Sequence, residues 1–276
     1  MTKKDMSVIL SGGGIKGLLY CGILKAYQEL KYDLIYNIKQ VIGISIGTVF
    51  ALFWIIGYSW DELQEHLNEL ELDTFNEFNI ELLFTKYGLN TGNNLINHIE
   101  IMMNKKNIDS NITLQEIQTK FQVNFGVIVT NLNKQCLEII SYKKNPNIRV
   151  LDAIRMAISI PLLFTAKRLN KDIYVDAALI SNYPLDFITK YIENETVFGI
   201  NIITNKSSTE IIDLTSYMKC IINCIRQNKN QQYNNIKTCN INCDLSNNLI
   251  YGNFTVNNTN EYINMGYNSF LETSFL

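Results

Sequence analysis

Apolar positions along the chain fall into two alternating rhythms. Short apolar runs bounded by turn residues occur at Ser7–Leu10, Gln40–Ile44, Ile173–Val175 and Thr196–Ile203; such runs predict buried strands. After the first of them, Leu18, Leu19, Ile23, Leu24, Tyr27 and Leu30 recur with the spacing of one helix face, which predicts a helix over Gly17–Leu30. The same reasoning places helices at Val49–Ile56, Trp60–Leu72, Asn93–Met103, Leu114–Phe121, Val150–Ile158, Glu210–Arg226 and Asn260–Leu271. Of these, Asn93–Met103 and Leu114–Phe121 are expected to form an insertion that covers the functional site. Asn124–Asn131 and Cys136–Tyr142 read as a hairpin joined by Leu132–Gln135, and Ile236–Cys243 as an edge strand. Strands that alternate with helices argue for a mostly parallel sheet covered on both faces.

The 276 residues suffice for one large α/β domain, and no repeat or Pro/Ser linker divides them. The expected organisation is a single domain over 1–276, with a motif-bearing core at about 6–184 and a remainder that completes the sheet and outer helices. The net charge of −2 argues against nonspecific nucleic-acid binding, which needs a basic excess. Val41–Tyr58 carries no charge and approaches the length of a membrane span. Gly43, Ser45, Gly47 and Thr48 break it into a buried strand, a tight turn and a core helix. No secretory signal is read, because Val8-Ile9-Leu10 runs at once into Ser11 and three glycines. An intracellular protein, cytoplasmic or peripheral at a membrane, is expected. Its six cysteines are then reduced thiols. Cys220/Cys224 and Cys239/Cys243 have a C-x3-C spacing, but neither His66 nor His98 lies near, so no metal is expected.

Three segments carry candidate chemistry. Gly12-Gly13-Gly14-Ile15-Lys16-Gly17 follows a strand and opens a helix, so its bare amides and the helix dipole favour an anion. It reads either as a dinucleotide fingerprint, with Asp33 as its distant acid, or as an oxyanion hole for a nearby nucleophile. Gly43-Ile44-Ser45-Ile46-Gly47 is a G-x-S-x-G between a strand and a helix, the context of a nucleophile elbow. A glycine-rich packing turn is the plainer alternative. Serine needs an adjacent base. Both histidines precede residue 100, so nothing late in the chain supplies an imidazole, and a carboxylate is the expected base. Asp176 ends the short strand Ile173–Val175 and is followed by the small Ala177 and Ala178. An ordinary turn aspartate is the competing reading there.

The glycine loop, the elbow and Val175-Asp176-Ala177-Ala178 match, in order and spacing, the signatures of patatin-like phospholipases. Arg155–Phe164 is similar to that family's segment of small residues, Ser and Pro before its aspartate. The resemblance covers roughly Met6 to Pro184. It implies a three-layer α/β/α sandwich with a mostly parallel central sheet, a Ser–Asp dyad, and hydrolysis of acyl esters in membrane lipids without cofactor or metal. By that resemblance Ser45 is the nucleophile, Asp176 the base, and the amides of Gly13 and Gly14 the oxyanion donors. Gly12, Lys16, Gly17, Gly43, Gly47, Ala177 and Ala178 support the motifs, and Lys16 either holds the loop or meets lipid phosphate. A membrane phospholipid or another acyl-ester lipid is the expected partner, reached by peripheral membrane contact. The family has Gly where this chain has Ala177. A left-handed backbone there would cost alanine about 1 kcal/mol and shift Asp176. The alternatives are an inactive relative that binds lipid or protein, and a nucleotide binder that uses the glycine loop alone.

Overall fold

The structure is a computed structural model and describes residues 3–69, 78–194, 196–203, 211, 217, 218, 220, 221, 224, 236–243 and 256–273. Its first elements are β1 (Lys4–Leu10), α1 (Leu19–Glu29), β2 (Tyr36–Ile44), α2 (Ile46–Ile55), α3 (Trp60–Glu69), α4 (Ile80–Lys86), β3 (Gly88–Asn90), α5 (Asn93–Lys105) and α6 (Leu114–Phe121). Then come β4 (Asn124–Asn131), β5 (Cys136–Ser141), α7 (Val150–Ala157), β6 (Leu162–Phe164), β7 (Lys167–Leu169) and β8 (Asp172–Asp176). The rest are α8 (Leu185–Ile188), β9 (Thr196–Ile203), β10 (Lys237–Asn242) and α9 (Val256–Glu272). The end of the helix expected over Trp60–Leu72 and most of that over Glu210–Arg226 lie outside the described residues.

Strand period decides the layers. On β1, Val8 and Leu10 enter one core while Ile9 enters the other; on β2, Val41 opposes Ile42 and Ile44; on β4, Val127 and Val129 oppose Ile128. Strands apolar on both faces must be covered on both. The first core joins the sheet to Leu19, Leu52, Met102, Ile117, Ile154 and Ile263 of six helices. The second is thinner and is closed by Leu185 and Ile188 of α8, with Tyr183 and Phe187 beside them. Each fully buried Ile or Leu contributes about 1.5–3 kcal/mol. The result is a three-layer α/β/α sandwich.

The sheet runs β10-β9-β1-β2-β4-β8-β7, with β5 also on β4. The neighbours from β10 through β4 are parallel, and β5, β8 and β7 pair antiparallel. The mostly parallel sheet and the β4–β5 hairpin match expectation. The charge-free run Val41–Tyr58 is the end of β2, a turn at Ser45 and the core helix α2. Among the described residues no helix is long and apolar enough to cross a membrane. The expectation that Asn93–Met103 and Leu114–Phe121 cover the site is corrected. Ile99, Met102, Met103, Leu114 and Ile117 lie in the first core. These helices are part of the thick layer, because their apolar stripes are spent on the core, α6 against β4 and α5 against α7.

α3 and α5 meet through His66 and His98, whose Nε2 atoms are in hydrogen-bond contact and whose rings lie 4.3 Å apart. Burial pushes His66 down to about 4, and the charges of His98 and Lys105 act the same way. Burial and then Lys105 lower His98 as well. Between pH 4 and the ordinary value near 6.5, the unfolded chain therefore binds more protons at His66 than the folded one. Stability from this pair is complete above about pH 6.5 and is lost as the pH falls towards 4. Melting temperatures measured across that window should fall, and should fall less in the double variant His66→Gln, His98→Gln. An unaltered slope in that variant would remove the histidines as its cause.

Candidate active site

One edge of β4 brings the two expected residues together. β5 occupies the other edge from Gly126 to Asn131. On the near edge, β2 pairs up to Ile44 opposite Ile128, and β8 arrives from the opposite direction with Asp176 opposite Val129. The carboxyl ends of β2 and β8 therefore meet head to head. The next residue after β2 is Ser45, and its Oγ donates to Asp176 Oδ2 at 2.6 Å. Both side chains are buried, at 5% and 1% exposure, so this hydrogen bond is made away from bulk water.

Ser45 adopts φ 51°, ψ −130°, a strained backbone for a non-glycine residue. The flanking glycines make that turn possible. A Cβ on Gly43 would sit 2.4 Å from Thr48 Cα, and one on Gly47 would sit 2.5 Å from the Ser11 carbonyl oxygen. The elbow is thus wedged between α2 and the end of β1, and α2 starts at the next residue, Ile46. The φ of Ser45 and its bond to Asp176 go beyond what a packing turn requires.

The glycine loop closes the other side. Gly12 faces both Ser45 and Asn182: a Cβ there would lie 3.3 Å from Ser45 Cβ and 2.9 Å from Asn182 Oδ1. Its amide donates to the Asn182 carbonyl at 3.0 Å. Gly13 is extended and Gly14 is left-handed at φ 55°. Neither the Gly13 nor the Gly14 amide donates to an acceptor among the described residues, and the loop is open to solvent at Gly14. Gly17 rests against Ile46 and Phe50 of α2. Lys16 is buried and its Nζ donates to the Cys243 carbonyl at 3.1 Å, so of its two expected roles the structure supports holding the loop. Asp33 sits in a turn ahead of β2, whereas a dinucleotide fingerprint needs its acid after the second strand. Ser45 stands in that place.

Asp176 is held from several directions. Its Oδ1 accepts from the Ala178 amide at 2.8 Å, and its own amide donates to the Ser159 carbonyl at 3.0 Å. Thr130 Oγ1 donates to its carbonyl at 3.3 Å. Ser159 is in turn gripped by Arg155, whose Nη1 donates to Ser159 Oγ at 2.6 Å. Arg155 also spans the Thr91 and Thr165 carbonyls at 2.6 and 2.8 Å. Burial lowers this guanidinium to about 10, which still leaves it charged at neutral pH. The idea that Ala177 carries a left-handed strain is corrected: Ala177 is not among the positive-φ residues, opens a short 3-10 turn and is fully buried in the second core. A turn that begins directly after the strand lets alanine follow Asp176 without a Cβ clash.

A family model of patatin-like phospholipases matches residues 8–188. The chain belongs to that family. It is 32% identical over 182 residues to the uncharacterized protein R571 of Acanthamoeba polyphaga mimivirus, a match covering 65% of this chain and 60% of that one. It is 27% identical over 190 residues to the probable lipid hydrolase 463L of invertebrate iridescent virus 6, covering 67% and 63%. The chain thus spans less than two thirds of these relatives' length. Its fold is similar to VipD of Legionella pneumophila, with a TM-score of 0.62, 15% identity, and 99% and 67% of the two chains covered. The ExoU–SpcU structure of Pseudomonas aeruginosa gives a TM-score of 0.55, 13% identity, and 99% and 51% coverage.

As a member of the patatin-like phospholipase family, the chain carries residues around Asp176 and Gly12 that its motifs did not single out. Asn182 and Thr130 reach the site from a loop and a strand with no local signature. Arg155 and Ser159 lie inside the segment similar to the family, but only the folded chain shows that they steady the backbone of Asp176.

Proposed function

We propose that the protein is a lipid acyl hydrolase of the phospholipase A or lysophospholipase type, with Ser45 and Asp176 as its catalytic dyad. The observation that carries this reading is the 2.6 Å bond between a serine on a strained turn and a buried carboxylate. The amides of Gly13 and Gly14, which follow Gly12 at the Ser45 side chain and have no acceptor among the described residues, serve as the oxyanion donors. Ser45 Oγ attacks the ester carbonyl carbon while its proton passes to Asp176 Oδ2. The carbonyl oxygen becomes the oxyanion and is met by the two amides, whose fixed dipoles need no reorganisation. Collapse of the intermediate breaks the ester C–O bond, and the leaving alcohol takes the proton from Asp176. Water then attacks the acyl-serine, gives its proton to Asp176, and the acid departs as Ser45 recovers its proton. The ester is presented at a membrane surface.

A fluorophosphonate probe tests the reading. The phosphonyl adduct should be found by peptide mass spectrometry on Ser45, and mixed phospholipid vesicles should release free fatty acid. A folded protein that takes no label at Ser45 and releases no acid from any vesicle would overturn it.

A further inference from the structure

Helix α4 half-buries Leu82 and Leu83 and leaves other apolar side chains in water. An amphipathic helix normally hides the stripe formed by positions i, i+4 and i+7. Here Ile80 and Phe84 share one face and stand in water, with Phe84 at 78% exposure, and the exposed Tyr87 follows as the left-handed C-cap. No residue of α4 is fully buried. An apolar stripe left in solvent on a folded protein marks a surface that meets something else.

Two observations point to what it meets. The first is charge. Behind α4 lies a cavity of about 490 Å³ whose charged lining is Lys86, Arg149, Arg155 and Lys167 against Glu100 and Asp152. Asp152 is already engaged by Arg149 at 2.7 Å and Lys167 at 3.1 Å. Lys86 and Arg155 have no carboxylate partner among the described residues, so the cavity keeps a positive excess. The second is position. The start of α4 is tied to β3 by the Asn79 amide and the Leu89 carbonyl, and β3 pairs with β6. β6 begins at Leu162, an exposed leucine in the left-handed region at φ 68°. Leu162 lies three residues, at most about 11 Å, from Ser159, whose carbonyl holds the Asp176 amide. Lys86 at the end of α4 lines the cavity, so the apolar side chains adjoin it, and β6 links both along the chain to the segment that holds Asp176.

We propose that α4 is the element by which the protein docks on an anionic lipid surface. Ile80 and Phe84 enter the acyl region, Tyr87 sits at its polar boundary, and the basic cavity faces headgroup phosphates. Apolar side chains and cations side by side match the layered chemistry of a bilayer interface. The choice of lipid over protein as the occupant rests on the hydrolase reading.

Binding is measured on Ser45→Ala protein, so that no lipid is consumed and the result does not depend on hydrolysis. The protein should sediment with phosphatidylcholine vesicles that contain phosphatidylglycerol, and far less with pure phosphatidylcholine. The double change Ile80→Glu, Phe84→Glu should lower the partition constant by about tenfold or more per residue, with an unchanged melting curve as the fold control. Phe84→Trp keeps the apolar character, and its emission should shift to the blue on anionic vesicles alone. Undiminished binding of the double variant, an unshifted Phe84→Trp spectrum, or equal binding to both vesicles would overturn the proposal. So would self-association in light scattering that Phe84→Glu abolishes in a protein indifferent to vesicles. If Ser45 takes no fluorophosphonate, the hydrolase reading falls while vesicle binding by α4 still stands or falls alone.

Discussion

Ser45→Ala is expected to lower kcat for ester hydrolysis by roughly 10⁴ to 10⁶ while the protein stays folded. The size follows from removal of the only atom that can form the acyl intermediate; such losses are typical when a serine nucleophile is deleted. In barrier terms this is about 5.5–8 kcal/mol. The fold should survive because alanine keeps the Cβ that the elbow already accommodates at φ 51°. What disappears is the hydrogen bond to Asp176. Loss of one donor to a buried carboxylate costs about 1–3 kcal/mol, and the Ala178 amide remains on Oδ1. Rates on a short-chain ester, with thermal unfolding alongside, check both parts. A folded Ser45→Ala protein with more than a tenth of the activity would refute the assignment of the nucleophile.

Asp176→Asn should cost about 10² to 10⁴ in kcat, the usual range for loss of a general base. Asparagine is near in shape and can keep the Ala178 bond through its carbonyl. Its other terminus is then an NH₂ that faces Ser45 Oγ as a donor and cannot take the proton. The neighbouring change Ala177→Gly separates base chemistry from backbone strain. Ala177 has no left-handed backbone and is fully buried beside Ile44 and Ile128 in the second core. Glycine there relieves nothing, removes a buried methyl group and adds freedom to the unfolded chain. A loss of about 1–2 kcal/mol in urea unfolding is expected, without a gain in kcat. Wild-type kcat in Asp176→Asn would remove Asp176 as the base. A clear rise in kcat for Ala177→Gly would restore the idea of a strained turn.

The tight turn at Ser45 was legible in the chain because its requirements are local. A serine at positive φ between a strand and a helix needs small neighbours on both sides, and Gly43 and Gly47 record that need at fixed spacing. The parallel core was legible too, since a strand buried on both faces leaves an unbroken apolar run. Histidine placement narrowed the chemistry, because a chain with none after His98 points to a carboxylate for a late base. Harder to read were Asn93–Met103 and Leu114–Phe121. An apolar helix stripe says that something covers it, but not whether that is the sheet or a ligand.

Strand period and glycine spacing, both properties of neighbouring residues, determined the α/β alternation, the turn at Ser45 and the candidate loop at Gly12–Gly17. Tertiary structure alone decided the rest. Ser45 and Asp176 lie 131 residues apart, and they meet because β2 and β8 end against each other on one edge of β4, a matter of register between distant strands. The grip of Arg155 and Ser159 on Asp176, the backbone angle of Ala177 and the outward stripe of α4 have the same origin. Each depends on which long-range partner occupies a surface, and no local pattern carries that information.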